Sequence, residues 1–363
     1  MAVAVDTAVE RLTVSACTIP TDEPESDGTL EWDSTTIVVV EAHAGGETGL
    51  GYTYADVSAG RFVESLLEPA VRGLDAMSVG ACWEAMQERI RNAGRPGLGQ
   101  MAVSAVDTAL WDLKARLLGV PLATAIDAVH ERVPVYGSGG FTSYSTERLG
   151  RQLGGWVAEG IPRVKMKVGR EPDRDPERLD AARAAIGDDA ELYVDANGAF
   201  TRKQALVWAD RFESEWGVRW FEEPVSSDDL DGLRSLRDHA GLEIAAGEYG
   251  DVLPYFERMA GAVDCMQADV TRCGGITGLL RVAALCDGRS LDLSGHCAPQ
   301  LSAHALAAVR RLRHLEYFHD HVRIEAMLFD GCLEPAGGAL VPDRSRVGHG
   351  LELRREEAER WSA

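Results

Sequence analysis

Long apolar runs are missing from this chain. No stretch of 18 or more apolar residues occurs in its 363 residues, which excludes a spanning helix. The opening twenty residues, MAVAVDTAVERLTVSACTIP, carry acids where a secretory leader needs a basic start and a continuous apolar run, so the chain reads as cytosolic. Paired cysteines are missing too. The seven present (Cys17, Cys82, Cys265, Cys273, Cys286, Cys297, Cys332) are scattered, odd in number and without a Cys-x-x-Cys pair, unlike a disulfide framework or a zinc site. Most read as buried small hydrophobes, including Cys273 and Cys297, which lie beside residues singled out below. Positive charge is scarce: 37 Lys and Arg stand against 58 Asp and Glu, a net −21. That balance repels phosphate backbones and anionic lipid surfaces, arguing against nucleic acid or membrane as partners. An anionic substrate would then need a local positive site.

What is present is an ordinary globular composition, 45% hydrophobic and 26% charged, long enough for one barrel-sized domain plus a smaller one. Residues 1–130 read as mixed α/β. The β-branched stretch at 37–41 runs into Gly45-Gly46, which fits a hairpin. Residues 101–118 are Ala- and Leu-rich with apolar positions at helical spacing, stopped by Gly119-Val120-Pro121. From about 133 the pattern changes. Eight short apolar runs, beginning at Val133, Arg163, Glu191, Val218, Glu243, Cys265, Leu291 and His314, alternate with helix-like segments. Such alternation is the signature of βα units, and eight of them suggest a closed barrel over an open sheet. No GxGxxG follows the first of these strands, which weakens a dinucleotide-binding fold.

Seven of the eight strands carry an ionisable residue at or near the C-terminal end, where barrel active sites form: Lys165 and Lys167, Asp195, Glu222 with Glu223, Glu248, Asp269, His296 and Glu316. The first strand is free of charge and ends in Gly137-Ser138-Gly139. Asp195, Glu222 and Glu248 are separated by 27 and 26 residues, so each sits on the next strand at a similar height. A single acid there would serve equally well as a helix N-cap. Three converging carboxylates repel, and a hard divalent cation such as Mg²⁺ relieves them. Lys165 and Lys167, two apart on a strand, point the same way, and each ammonium should lower the other's pKa until one serves as a base. Asp269 and His296 fall on successive strands, where the carboxylate can set the imidazole tautomer. Glu316 could donate a hydrogen bond if its surroundings keep it protonated.

These residues sit in segments that resemble the enolase superfamily, specifically its mandelate racemase subgroup: VKMKVG, LYVDANG, WFEEP, AGEYG, QADVTRCGGITG, SGHCAPQLSAHALAA and HLEYF, preceded by ALWDLKARLLGVPL. They cover nearly the whole chain in the family's order. The resemblance implies a (β/α)₇β barrel at 131–325, capped by an α+β domain at 1–130 that the C-terminal segment 326–363 completes. It implies Asp195, Glu222 and Glu248 as Mg²⁺ ligands, Lys167 as base on one face of the substrate with Lys165 depressing its pKa, and the Asp269–His296 dyad on the other face. Glu316 would hydrogen-bond the substrate carboxylate, and Asn197 and Trp32 are expected to touch substrate. Asp269 separates this subgroup from the muconate-lactonizing one, which is similar but carries Lys there. The partner implied is a small-molecule carboxylate, and the assembly a homo-oligomer.

The implied chemistry is removal of the proton α to a carboxylate. Two fates of the enediolate are open: loss of a β-hydroxyl from an acid sugar to give a 2-keto-3-deoxy acid, or reprotonation on the other face by a racemase or epimerase of a 2-hydroxy acid. Dehydration is preferred, because it is the commoner activity in the subgroup and because residues 18–35, read as an acidic specificity loop, carry Asp22, Glu23, Glu25, Asp27, Glu31 and Asp33. These could pair with sugar hydroxyls, although a merely solvated loop fits as well. A catalytically silent barrel that binds an acid is the remaining alternative. It has no chemical need for this full set of groups.

Overall fold

A computed structural model describes residues 6–363, so the first five residues of the acidic N-terminal stretch lie outside it. Three antiparallel strands open the fold: β1 (Arg11–Ser26), β2 (Glu31–Ala44) and β3 (Glu47–Tyr54). The Gly45-Gly46 turn joins β2 to β3, both glycines at positive φ, as the hairpin reading requires. The helix Gln100–Leu118 lies on this sheet and ends at Gly119, in the left-handed conformation of a helix C-terminus. Its approach is close: a Cβ on Gly51 would sit 2.3 Å from the Ala105 carbonyl oxygen, so only glycine lets sheet and helix meet there. A second apolar core fills the layer between them, with Val38, Val40, Ala105, Ala109 and Leu113 fully buried. Each valine or leucine among them contributes about 1.5–3 kcal/mol.

The eight expected strands all form. They are β4 (Val133–Gly139), β5 (Arg163–Lys167), β6 (Glu191–Asp195), β7 (Val218–Glu222), β8 (Glu243–Ala246), β9 (Cys265–Ala268), β10 (Asp292–Gly295) and β11 (Leu312–Phe318), and a parallel β11–β4 pairing closes the ring. Strands covered on both faces read as continuous apolar runs, and the burial follows. Residues facing the surrounding helices, such as Val164, Met166, Val194, Phe221 and Ile244, enter the main core. Alternate residues point inward, where Tyr136, Tyr193 and Trp220 form an aromatic plug with His314 beneath the mouth.

Two connections tie the N-terminal sheet to the barrel. Ser104 and Asp107, on the helix Gln100–Leu118, grip the loop that follows β9: Ser104 Oγ accepts from the amides of Gly274 (2.9 Å) and Gly275 (3.0 Å), and Asp107 Oδ2 from Thr277 N (2.9 Å). Thr53 Oγ1 donates to the Thr271 carbonyl of the same loop at 2.8 Å. The C-terminal segment first adds Ala339–Leu340 antiparallel to β4 and then returns to β1, where Thr18 N donates to Trp361 O and Ala363 N to Ala16 O, each at 3.0 Å. No helix among the described residues is long and apolar enough to cross a membrane.

One expectation is corrected. Residues 18–35 are not a loop: they are the paired ends of β1 and β2, with Asp27–Leu30 as the tip of a long hairpin. Strand pairing runs from Arg11↔His43 to Pro20↔Ser34 and, after an irregularity, resumes at Glu25↔Trp32 and Ser26↔Glu31, which a reading based on acidic side chains alone could not foresee.

Candidate active site

Register alone brings the predicted residues together. Lys167 is the direct neighbour of Asp195, and Asp195 of Glu222, so the last residues of β5, β6 and β7 form a row across the barrel mouth. Glu248 follows β8 through Gly247, Asp269 and His296 come just after β9 and β10, and Glu316 lies within β11. The backbone turns sharply at this rim: Asn197, Glu223, Cys297 and Ala298 all hold φ between 39° and 51°. Left-handed backbone outside glycine concentrates at functional sites.

Asp195, Glu222 and Glu248 are buried and bring carboxylate oxygens within 4.8 Å of one another. Lys167 Nζ donates to Asp195 Oδ2 at 2.5 Å. Lys165 Nζ, fully buried, donates to Glu222 and lies 2.8 Å from Glu316 Oε1 and 3.2 Å from Asp195 Oδ2. Glu248 Oε2 and Glu223 Oε1 are buried with no hydrogen-bond partner. Burial pushes Glu223 well above the usual carboxylate range, with Glu248 and Asp195 adding to the rise. The mouth thus gathers Asp195, Glu222, Glu223, Glu248, Asp269 and Glu316 against Lys165, Lys167 and Arg272. That surplus of hard oxygen donors, two of them unpartnered, fits a hard divalent cation held by Asp195, Glu222 and Glu248.

Asp269 and His296 are also brought together, on the other wall. His296 Nδ1 lies 2.8 Å from Asp269 Oδ2, and Asp269 Oδ1 accepts from the amide and hydroxyl of Thr271, each at 2.7 Å. Burial acts to lower the His296 pKa, but Glu248, Glu316 and Asp269 outweigh it and hold the imidazole above its ordinary value. β10 stands three steps round the ring from β5, so His296 and Lys167 reach the cavity from separate walls. That cavity, about 390 Å³, is bounded below by Lys167, Glu248, His296 and Glu316, and above by the β1–β2 hairpin and the end of β3. Asn197 and Trp32 line it as expected, Asn197 with a buried and unpartnered Oδ1. Lys165, Asp195, Glu222 and Asp269 sit behind these groups.

Three expectations change. Lys165 does act to lower the Lys167 pKa, yet that effect and burial are outweighed by Asp195, and Lys167 is raised. Glu316 is not held protonated: despite burial, Lys165, His296 and Lys167 keep it well below the usual range, and it accepts from Ser138 Oγ at 2.6 Å. Cys297 is not simple packing, because it lines the cavity with Sγ 3.3 Å from both His296 Nε2 and Glu316 Oε2. Residue reading also missed Arg272, which donates to the Glu248 carbonyl at 3.2 Å and lies 3.5 Å from Asp269. Its signal was a lone basic residue three places after Asp269. Tyr54 and His321, stacked with ring centroids 3.4 Å apart on the cavity wall, carried no local signal.

The hairpin acids have partners of their own. Asp22 pairs with Arg148 at 2.8 Å, Glu31 with Arg170 at 2.7 Å, and Glu25 accepts from Trp32 Nε1 at 2.9 Å. Asp27 Oδ1 takes the amides of Thr29 and Leu30, both at 2.6 Å, and so shapes the tip. The tip presses on the barrel: a Cβ on Gly28 would fall 2.1 Å from the Ala196 carbonyl oxygen.

A capped barrel with carboxylates on three adjacent strand ends, flanked by Lys-x-Lys and an Asp–His pair, defines a class of acid–base barrel enzymes. Residues 16–126 match the model of the mandelate racemase/muconate lactonizing enzyme N-terminal domain, and residues 148–358 that of the enolase C-terminal domain-like family. The chain belongs to the mandelate racemase/muconate lactonizing enzyme family of the enolase superfamily. A mandelate racemase/muconate lactonizing enzyme-like protein from Rubrobacter xylanophilus is 65% identical, with TM-score 0.97 over 98% of this chain and 100% of that one. The 3,6-anhydro-α-L-galactonate cycloisomerase of Streptomyces coelicolor is 34% identical over 95% of this chain and 97% of its own. The L-talarate/galactarate dehydratase of Salmonella typhimurium, solved with Mg and L-lyxarohydroxamate, is 28% identical, with TM-score 0.90 over 99% of this chain and 94% of that one.

Proposed function

We propose that this protein is a Mg²⁺-dependent enzyme that removes the proton α to the carboxylate of a sugar acid and expels the β-oxygen. The observation that carries the reading is the pair of acid–base groups on separate walls of one cavity: Lys167 on β5, and His296 with Asp269 2.8 Å behind it. Asp195, Glu222 and Glu248 would hold Mg²⁺, which supplies Lewis-acid stabilisation of the charge that develops on the substrate carboxylate. Lys165 and Glu316 adjoin that end of the cavity, Lys165 as a buried cation and Glu316 as an acceptor for the substrate's polar groups. The neutral amine of Lys167, or the neutral imidazole of His296, takes the α-proton. As the Cβ–O bond breaks, protonated His296 delivers its Nε2 proton to the departing oxygen, and the enol left behind becomes a 2-keto-3-deoxy acid on taking a proton at Cβ. Asp269 keeps Nδ1 protonated so that Nε2 faces substrate.

A second reading has its own support. The relative at 34% identity is a cycloisomerase of an anhydro sugar acid. There the β-oxygen lies in a ring ether, so the same elimination opens a ring and releases no water. Racemisation uses the same two groups with no leaving group. ¹H NMR in D₂O with Mg²⁺ and a pooled library of sugar acids, anhydro sugar acids and 2-hydroxy acids separates these readings. Loss of an α-proton with a new C3 methylene identifies elimination and the substrate. Exchange without elimination replaces that reading with racemisation, and no exchange with any acid rejects the function. The expected homo-oligomer is checked by light scattering.

A further inference from the structure

The two walls of the cavity differ in charge. The barrel wall supplies its cations, Lys167 and Arg272, and both are engaged at the reacting end: Lys167 with Asp195 at 2.5 Å, Arg272 with the Glu248 carbonyl and beside Asp269. The opposite wall, built by the hairpin and the end of β3, presents Asp27, Asp56, Ser34, Thr35, Thr36 and Tyr54. Among the described residues lining that wall, none is Lys or Arg. The nearby arginines do not line the cavity and are tied to the hairpin itself, Arg170 to Glu31 and the Leu30 carbonyl, Arg148 to Asp22. His321, the imidazole nearest this wall, is driven by burial down to about 3 and stays neutral. Asp56 accepts from the Ser58 amide at 2.9 Å and is held below the usual range by Ser58, so it remains an anion.

Resting on the function proposed above, we infer that the substrate is a monocarboxylate sugar acid, an aldonate or its anhydro form, whose far end is an uncharged run of hydroxyls. With its one carboxylate at the end where Lys165 and Lys167 stand beside the Asp195, Glu222 and Glu248 trio that would hold Mg²⁺, the remainder of the chain meets acceptor oxygens and hydroxyls, which suit sugar hydroxyls as donors. A second carboxylate at the far end, as in an aldarate, would face Asp27 and Asp56, with no Lys or Arg among the described residues of that wall to receive it. Like charges placed together across a binding site are a strong means of exclusion.

The test uses the Mg²⁺-loaded protein with chain-matched pairs such as gluconate against glucarate and galactonate against galactarate, together with anhydro-aldonates. The rate of α-proton exchange in D₂O is followed, and calorimetry gives the binding of the hydroxamate of a five-carbon aldonic acid against that of the matching aldaric acid. We expect kcat/KM and hydroxamate affinity to favour the monoacid by about 100-fold. Leu30→Arg, at the hairpin tip where Leu30 is 61% exposed and lines the cavity, should narrow that ratio at least about 10-fold by receiving the second carboxylate. Equal or better use and binding of aldarates would overturn this inference while leaving sugar-acid elimination intact. Reaction confined to 2-hydroxy acids without a β-oxygen would overturn both. A hydroxamate preference unmoved by Leu30→Arg would refute the charge of the hairpin wall as its cause.

Discussion

Two acid-rich regions lie within one cavity's reach of each other, and they are built on opposite principles. At the barrel mouth, acids distant in sequence are forced side by side by strand register, so that Asp195 neighbours Glu222 and buried oxygens of Glu223 and Glu248 find no donor. In the hairpin, six acids crowd into residues 22–33, yet Asp22, Glu31 and Asp27 are each matched by an arginine or a backbone amide. Density of acids along a chain therefore says little about unmet charge. Convergence through the fold says a great deal.

The sharpest way to probe this contrast is to remove a mouth group. Lys167→Ala or His296→Asn should lower the rate of substrate turnover by about 10²–10⁴-fold, measured by NMR on variants shown to be folded by circular dichroism. Glu248→Gln should weaken Mg²⁺ binding by at least about 10-fold in calorimetry, because one hard donor is lost from the trio. Equal Mg²⁺ affinity in that variant would remove Glu248 from the ligand set.

Glu25 is the hairpin acid that behaves like a mouth residue, and it tests the contrast from within. It is fully buried, and its carboxyl is raised to about 9 by burial first and the Asp320 charge next, with Asp22 adding and Trp32 and Arg323 opposing. A carboxyl that keeps its proton longer in the folded chain contributes stability below the ordinary glutamate pKa and loses it as pH rises toward the folded value. Wild-type Tm should therefore fall relative to Glu25→Gln from pH 5 upward, the gap levelling off near 9. Parallel Tm curves for the two proteins would show that Glu25 is ionised throughout. The smallest effect belongs to Glu31→Gln, which removes an exposed pair with Arg170 and should cost less than about 1 kcal/mol in chemical denaturation.

The same contrast explains what could be read from the sequence. The eight barrel strands and the mouth residues were legible, because apolar runs mark strands, their ends mark the mouth, and a spacing of one βα unit places Asp195, Glu222 and Glu248 at one height. The hairpin was not, because its acids are answered by Arg148 and Arg170, both more than a hundred residues away. Ionisation states were missed for a related reason. The lysine pair was read as two isolated cations, whereas Asp195, Glu222 and Glu316 lie within reach of them. Cys297, Arg272, Tyr54 and His321 take their meaning from segments distant in the chain that only the assembled barrel and N-terminal sheet bring together.

The grip of Ser104, Asp107 and Thr53 on the loop after β9 bears on how such proteins can diversify. That loop carries Asp269 at its start, so the N-terminal sheet is fastened to the segment that positions the imidazole. Wholesale exchange of the first hundred-odd residues between relatives would have to preserve these three side chains, or bring residues 269–277 along with them. The hairpin between Pro20 and Ser34 makes none of these three bonds, so its cavity-facing side chains can vary while the hold on residues 269–277 is kept.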